Sequence, residues 1–155
     1  MRLDEAPAFM RGFVQNIILR RAVPFTGTAG IRFDVLTPER VEVRIANAHK
    51  VHNHFGGVHA SAMNLLAETA TGMVVGMNVR DDCTPLAKEM KMAFRKRATG
   101  GLRAVATLTP EQCAAMQASD KGEVTVQVTV TDDAGVEPVE CEFTWAWIPA
   151  TPRKN

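Results

Sequence analysis

Glu68 is the side chain most clearly set up to do chemistry. It is a single carboxylate about two turns inside an apolar run, beside Leu65, Leu66 and Ala67, and the run follows a polar loop reading Asn53-His54-Phe55-Gly56-Gly57-Val58-His59. Desolvation disfavours a charged carboxylate, so a buried one is neutralised, paired or used. The loop supplies the complementary chemistry. The first N–H groups of a helix lack intrahelical acceptors and sit at the positive end of its macrodipole, which suits an oxygen gaining negative charge. His59 and Ala60 fall at that start.

Two further clusters carry chemical potential. All four histidines, His49, His52, His54 and His59, fall within eleven residues. Neutral imidazole is a common metal ligand, so His52, His54 and His59 with Glu68 form an alternative zinc or iron set, although nothing in the spacing fixes their directions. The simpler expectation is no metal. Lys88, Lys91, Arg95, Lys96 and Arg97 form a basic run suited to phosphate oxygens, or else an ordinary solvated strand end.

The periodicity places these residues on elements. Phe9, Phe13 and Ile17 recur every four residues, predicting an amphipathic helix over 6–21 that stops before Pro24. Alternation at Ile31, Phe33, Val35 and again at Val41, Val43, Ile45 predicts a hairpin. A helix over 59–78, apolar on nearly every side, is expected to be surrounded by protein, with Gly72 and Gly76 admitting a close sheet. Strand-like stretches follow near 87–96 and 102–108, joined by a Thr99-Gly100-Gly101 turn. Thr109-Pro110-Glu111-Gln112 has the capping-box pattern of a short helix. A second hairpin follows, with Val124 to Val130 and Val139 to Trp147 alternating about an Asp132-Asp133-Ala134-Gly135 turn. The order lacks βαβ alternation, so the fold class is α+β: one domain over 1–155, a mostly antiparallel sheet wrapped around a long central helix, with an extra amino-terminal helix. Exposed sheet edges predict at least a homodimer.

Composition narrows the function classes. A formal net charge of +1 over 155 residues predicts neither nucleic-acid nor bulk membrane attraction. Cys83, Cys113 and Cys141 are odd in number and widely spaced, which argues against a disulfide framework and fits a reducing cytoplasm. Asn64 and Glu68 interrupt the apolar stretch from Ala60 to Val79, against a membrane span.

The run Asn53-x-x-Gly56-x-x-His59, with a carboxylate nine residues after the histidine, resembles the active-site motif of the hotdog-fold acyl-CoA thioesterases of the phenylacetate-pathway type. The resemblance spans roughly residues 31–147. It implies an acyl-CoA small-molecule substrate, no cofactor beyond its coenzyme A, and a homodimer or dimer of dimers with the cleft between subunits. By the same resemblance the Ala60 N–H, with Gly57, faces the thioester oxygen. Glu68 from the opposite subunit serves as general base or nucleophile, and Asn53 orients the water or the carboxylate. The catalytic set is then Glu68, Asn53 and His59. Thr84 is the nearest match to a water-holding residue on the following strand, and Lys88, Arg95, Lys96 and Arg97 bind the phosphates of coenzyme A. Glu68 stands where the family often has Asp, and Ala60 where it usually has Gly. Two other readings are a hotdog 3-hydroxyacyl-thioester dehydratase using His54 and Glu68, and a non-catalytic acyl-thioester binding protein.

Overall fold

The computed structural model describes residues 10–151. Two helices, α1 (Arg11–Ala22) and α2 (Pro24–Ala29), lead into strands β1 (Arg32–Leu36) and β2 (Arg40–Ile45). The long helix α3 (Ala60–Gly76) follows, then β3 (Cys83–Phe94), β4 (Leu102–Thr107), α4 (Pro110–Ala118), β5 (Gly122–Asp132) and β6 (Val139–Pro149). The six strands form one sheet in the order β1-β2-β4-β5-β6-β3, with antiparallel neighbours throughout.

The sheet curls around α3, whose Leu66, Ala67, Ala70, Val74 and Val75 are fully enclosed with Val41, Val43, Ala104, Val130 and Phe143. Enclosure on most sides explains why this helix is apolar all round. Gly72 permits the closest approach, because a Cβ there would lie 2.7 Å from the Trp145 ring. Gly76 has nothing within 4 Å of a built Cβ, so the expectation of a packing role fails there. Trp145 is fixed from its other end as its Nε1–H donates to Thr71 Oγ1 at 3.0 Å.

Three further sequence expectations are corrected. The stretches near 87–96 and 102–108 are not partners: among the described residues β3 pairs with β6 alone and forms a sheet edge, whereas β4 lies between β2 and β5. The connection crosses the sheet end because Arg95 and Lys96 N–H donate to Pro138 O, while Asp132 and Asp133 carboxylates accept from Thr99 and Gly101 N–H. Helix α1 buries a different face from the one expected. Phe9 lies outside the described residues, Phe13 is 65% exposed and Ile17 is also exposed, whereas Val14 is buried. A polar residue sets this orientation: Asn16 Oδ1 accepts from Phe33 N–H at 2.7 Å and its Nδ2 donates to Phe33 O at 2.9 Å. Finally, Pro24 does not merely stop α1 but opens α2 at its first turn, where its missing N–H costs nothing.

Candidate active site

The loop before α3 is held by its own hydrogen bonds. Asn53 Oδ1 accepts from Phe55 N–H at 3.0 Å and Gly57 N–H at 3.1 Å, while Asn53 N–H donates to Gly57 O at 2.8 Å. Asn and Asp favour such local turns because the short side chain reaches backbone two to four residues on. Gly56 takes a left-handed φ of +77°, which a side chain would resist. His59 then caps α3, its Nδ1 accepting from Ser61 N–H at 3.0 Å.

These bonds decide which donors remain. Ala62 and Met63 N–H both donate to His59 O, and Ser61 N–H is taken by the His59 ring. The Ala60 N–H is therefore the one first-turn donor of α3 without an acceptor among the described residues. Gly57 N–H, expected to assist it, is already committed to Asn53. The Asn53 Nδ2 group, free of partners among the described residues, is the second available donor here.

Asn53, Gly57 and Ala60 line a cleft of about 310 Å³ whose opposite wall is Phe94, Lys96 and Arg97, floored by Met63 and Val58. Of the five expected cations, two face this cleft. Arg97 lies 5.9 Å from the ring centroid of Phe55, itself 68% exposed. The others are held by carboxylates across the sheet: Lys88 by Glu123, Lys91 by Glu142 at 3.1 Å, and Arg95 by Glu140 at 2.9 Å. Thr84 sits at the start of β3 opposite Ile148 and lines neither this cleft nor the cavity beside Glu68.

Glu68 lies elsewhere. Eight residues along the helix, about 12 Å at 1.5 Å per residue, it lines a second cavity of about 190 Å³ between α3, β6 and the α1–α2 pair, with Leu19, Val23, Phe33, Met73 and Trp145. Its carboxylate is half-buried, has no hydrogen bond or ion pair among the described residues, and is pushed above the ordinary carboxylate range by that burial. Phe55, Phe94 and Thr69 were not anticipated as site residues. Position 69 carried a signal in its place beside Glu68, whereas Phe94 enters only through the tertiary fold.

The histidines do not converge. His49 and His52 meet edge to face at 5.9 Å, His54 packs on Phe55 at 3.8 Å, and His59 is the helix cap. Among the described residues no three His, Cys, Asp or Glu side chains are grouped to hold a metal ion. His54 is exposed and lines neither cavity, so one chain does not unite it with Glu68. No described helix is long and apolar enough to cross a membrane.

An antiparallel sheet wrapped on a central helix, with clefts at the helix tip and flank, defines the hotdog architecture of thioesterases. Residues 13–148 match the family described as domain of unknown function DUF4442, and the chain belongs to it. No curated protein matches the chain. Among solved structures it is similar to a Pseudomonas aeruginosa protein of unknown function described as a probable thioesterase, at 25% identity and a TM-score of 0.80, covering 89% of this chain and 95% of that one. It is also similar to a Haemophilus influenzae thioesterase, at 14% identity and a TM-score of 0.72, covering 91% and 94%, which speaks to the fold.

Proposed function

We propose that this chain is an acyl-CoA thioesterase whose active site is completed between two copies. The observation that carries the reading is the half-buried Glu68 carboxylate, which no cation or donor among the described residues compensates. A group kept in that state costs stability and is a functional-site candidate. The acceptor-free Ala60 N–H supplies what it lacks, a place for the reacting carbonyl oxygen.

Within one chain the two groups line different cavities, so a second copy must bring them together. Strand β3 is a twelve-residue edge with Leu86, Met90 and Phe94 exposed, and Phe94 also lines the cleft beside Ala60. A long apolar edge is a template for pairing with another chain. Pairing there would bury Phe94, and on this reading the second copy, in a homodimer or a dimer of dimers, supplies the Glu68 that serves the cleft beside Ala60.

In this arrangement the thioester oxygen accepts from Ala60 N–H, helped by Asn53 Nδ2, and Lys96 and Arg97 hold phosphate oxygens of coenzyme A. Glu68 takes a proton from water as the water oxygen bonds to the carbonyl carbon. The tetrahedral oxyanion then collapses, the carbon–sulfur bond breaks, and the thiolate takes the proton back from Glu68 to leave as free coenzyme A. A thiol of pKa about 8.5 is a good leaving group, so no cofactor is required. Attack by Glu68 itself, through an acyl anhydride, uses the same residues. Release of free thiol from a panel of acyl-CoA thioesters tests the reading. Turnover that Glu68→Gln abolishes supports it, whereas acyl-CoA binding without turnover would leave a binding protein.

A further inference from the structure

We propose that the cavity beside Glu68 is the acyl-group subsite, and that Thr69 makes it selective for compact acyl groups carrying a hydroxyl or ketone oxygen along the chain. The proposal rests on the hydrolytic reading for the thioester alone; the pocket's chemistry stands on its own geometry.

Helix α3 carries two threonines, two residues apart, in opposite states. Thr71 Oγ1 donates to the Ala67 carbonyl at 3.0 Å and accepts from Trp145 Nε1–H at 3.0 Å. Thr69 is 6% exposed, and its hydroxyl is buried with no hydrogen-bond partner among the described residues. Helical threonines commonly bond back to the carbonyl four residues earlier, and buried polar side chains are nearly always paired. Thr69 does neither.

Thr69 belongs to the wall of the 190 Å³ cavity that also holds Glu68. The rest of that wall offers little else to a polar ligand atom. Leu19, Phe33 and Met73 are apolar, the Trp145 N–H is taken by Thr71, and the Thr26 hydroxyl is committed to Val23 O at 2.7 Å. Of the hydroxyls in this wall, that of Thr69 alone has no partner among the described residues, and a ligand oxygen meets it once the buried side chain turns into the cavity. Sites built around such a group discriminate against the analogue that lacks the matching oxygen, because the site's own polar atom is then left unpaired. Size points the same way, since an apolar cavity of about 150 Å³ admits a benzene ring, which puts the matching acyl group at about six carbons.

The test measures affinity with thioethers that cannot be hydrolysed: S-hexyl-CoA and its 3-, 4- and 5-hydroxy derivatives, titrated calorimetrically into the full chain. One hydroxy derivative should bind wild type about tenfold more tightly than S-hexyl-CoA, as one added hydrogen bond allows. Thr69→Ser should keep the preference, and Thr69→Val, which keeps the shape without the hydroxyl, should reduce it to below about twofold. Thr69→Ala gives the same comparison if the valine variant does not fold. Equal binding of all four thioethers by wild type, or a preference that survives in both hydroxyl-free variants, overturns the proposal. Hydrolysis is judged separately by thiol release from hexanoyl-CoA and its hydroxy derivatives. A hydroxyl preference without thiol release sinks the hydrolytic reading alone, and thiol release with no hydroxyl preference sinks the selectivity alone.

Discussion

The tip of α3 and its flank around Glu68 solve opposite problems. At the tip most polar groups are paired: Asn53 orders the loop and His59 caps the helix, which leaves the Ala60 N–H, the Asn53 Nδ2 group and the buried His52 Nε2 without partners among the described residues. Along the flank, a mostly apolar cavity is lined by two polar side chains without partners among the described residues, Glu68 and Thr69. The first region is ordered by its own hydrogen bonds; the second is mostly apolar and uncompensated among the described residues. Acyl transfer needs both precise positioning and a desolvated base, and with the two at different places on one helix each site of the proposed dimer draws its donor from one copy and its base from the other.

The sharpest way to break this contrast is at the flank. Glu68→Gln should lower kcat for acyl-CoA hydrolysis by about 10²- to 10⁴-fold, the usual contribution of a general base, with little change in thioether affinity. The next largest effect belongs to the tip. Ala60→Pro deletes the first-turn N–H of α3 that has no acceptor among the described residues, at a position where proline is well tolerated, and His59, with φ −63° and ψ 143°, already has the extended backbone that precedes proline. Steady-state kinetics should show kcat lower by about 10²-fold or more with the melting temperature retained.

Weaker effects separate the cations. Lys96→Ala and Arg97→Ala should raise KM for acyl-CoA by about tenfold each, the value of a charge-assisted phosphate contact, whereas Lys88→Ala and Arg95→Ala should leave KM alone because their partners are Glu123 and Glu140. A Lys88 variant with the larger KM would mean that a second surface binds the nucleotide. Between the two threonines, Thr71→Val should destabilise the fold by about 1–3 kcal/mol by orphaning the Trp145 N–H, visible as a lower melting temperature.

Proton linkage gives the smallest effect. Burial raises the Glu68 pKa above its ordinary value of 4.5. The fold penalises the ionised form, so stability is highest below the unfolded-state pKa and falls as pH rises from there through the raised folded value. Wild type should melt progressively lower relative to Glu68→Gln across that window. The same pKa should set the acidic limb of the rate profile, since the base must be ionised to act.

Much of the arrangement was legible from residue order because its determinants are local. The carboxylate in an apolar run, the Asn53 turn, the helix start at His59–Ala60 and the Thr109/Gln112 capping box each depend on neighbours within a few positions. What stayed hidden depends on distant pairing. The edge position of β3 follows from contacts with β6 some fifty residues away, so nothing near 87–108 distinguishes a hairpin from a crossover. Likewise the charge run of five cations divides only when Glu123, Glu140 and Glu142 arrive from other strands. The exposed Phe13 face of α1 is likewise illegible in the periodicity, because the residue that anchors the helix is the polar Asn16.

The most direct measurement joins the two regions across subunits. Glu68→Ala and Ala60→Pro chains, each inactive alone, can be co-expressed with different affinity tags and the mixed dimer isolated through both. One of its two sites then contains an intact tip from one chain and an intact carboxylate from the other, so about half of wild-type turnover should return in a symmetric dimer. A mixed dimer as inactive as its parents would contradict a shared site.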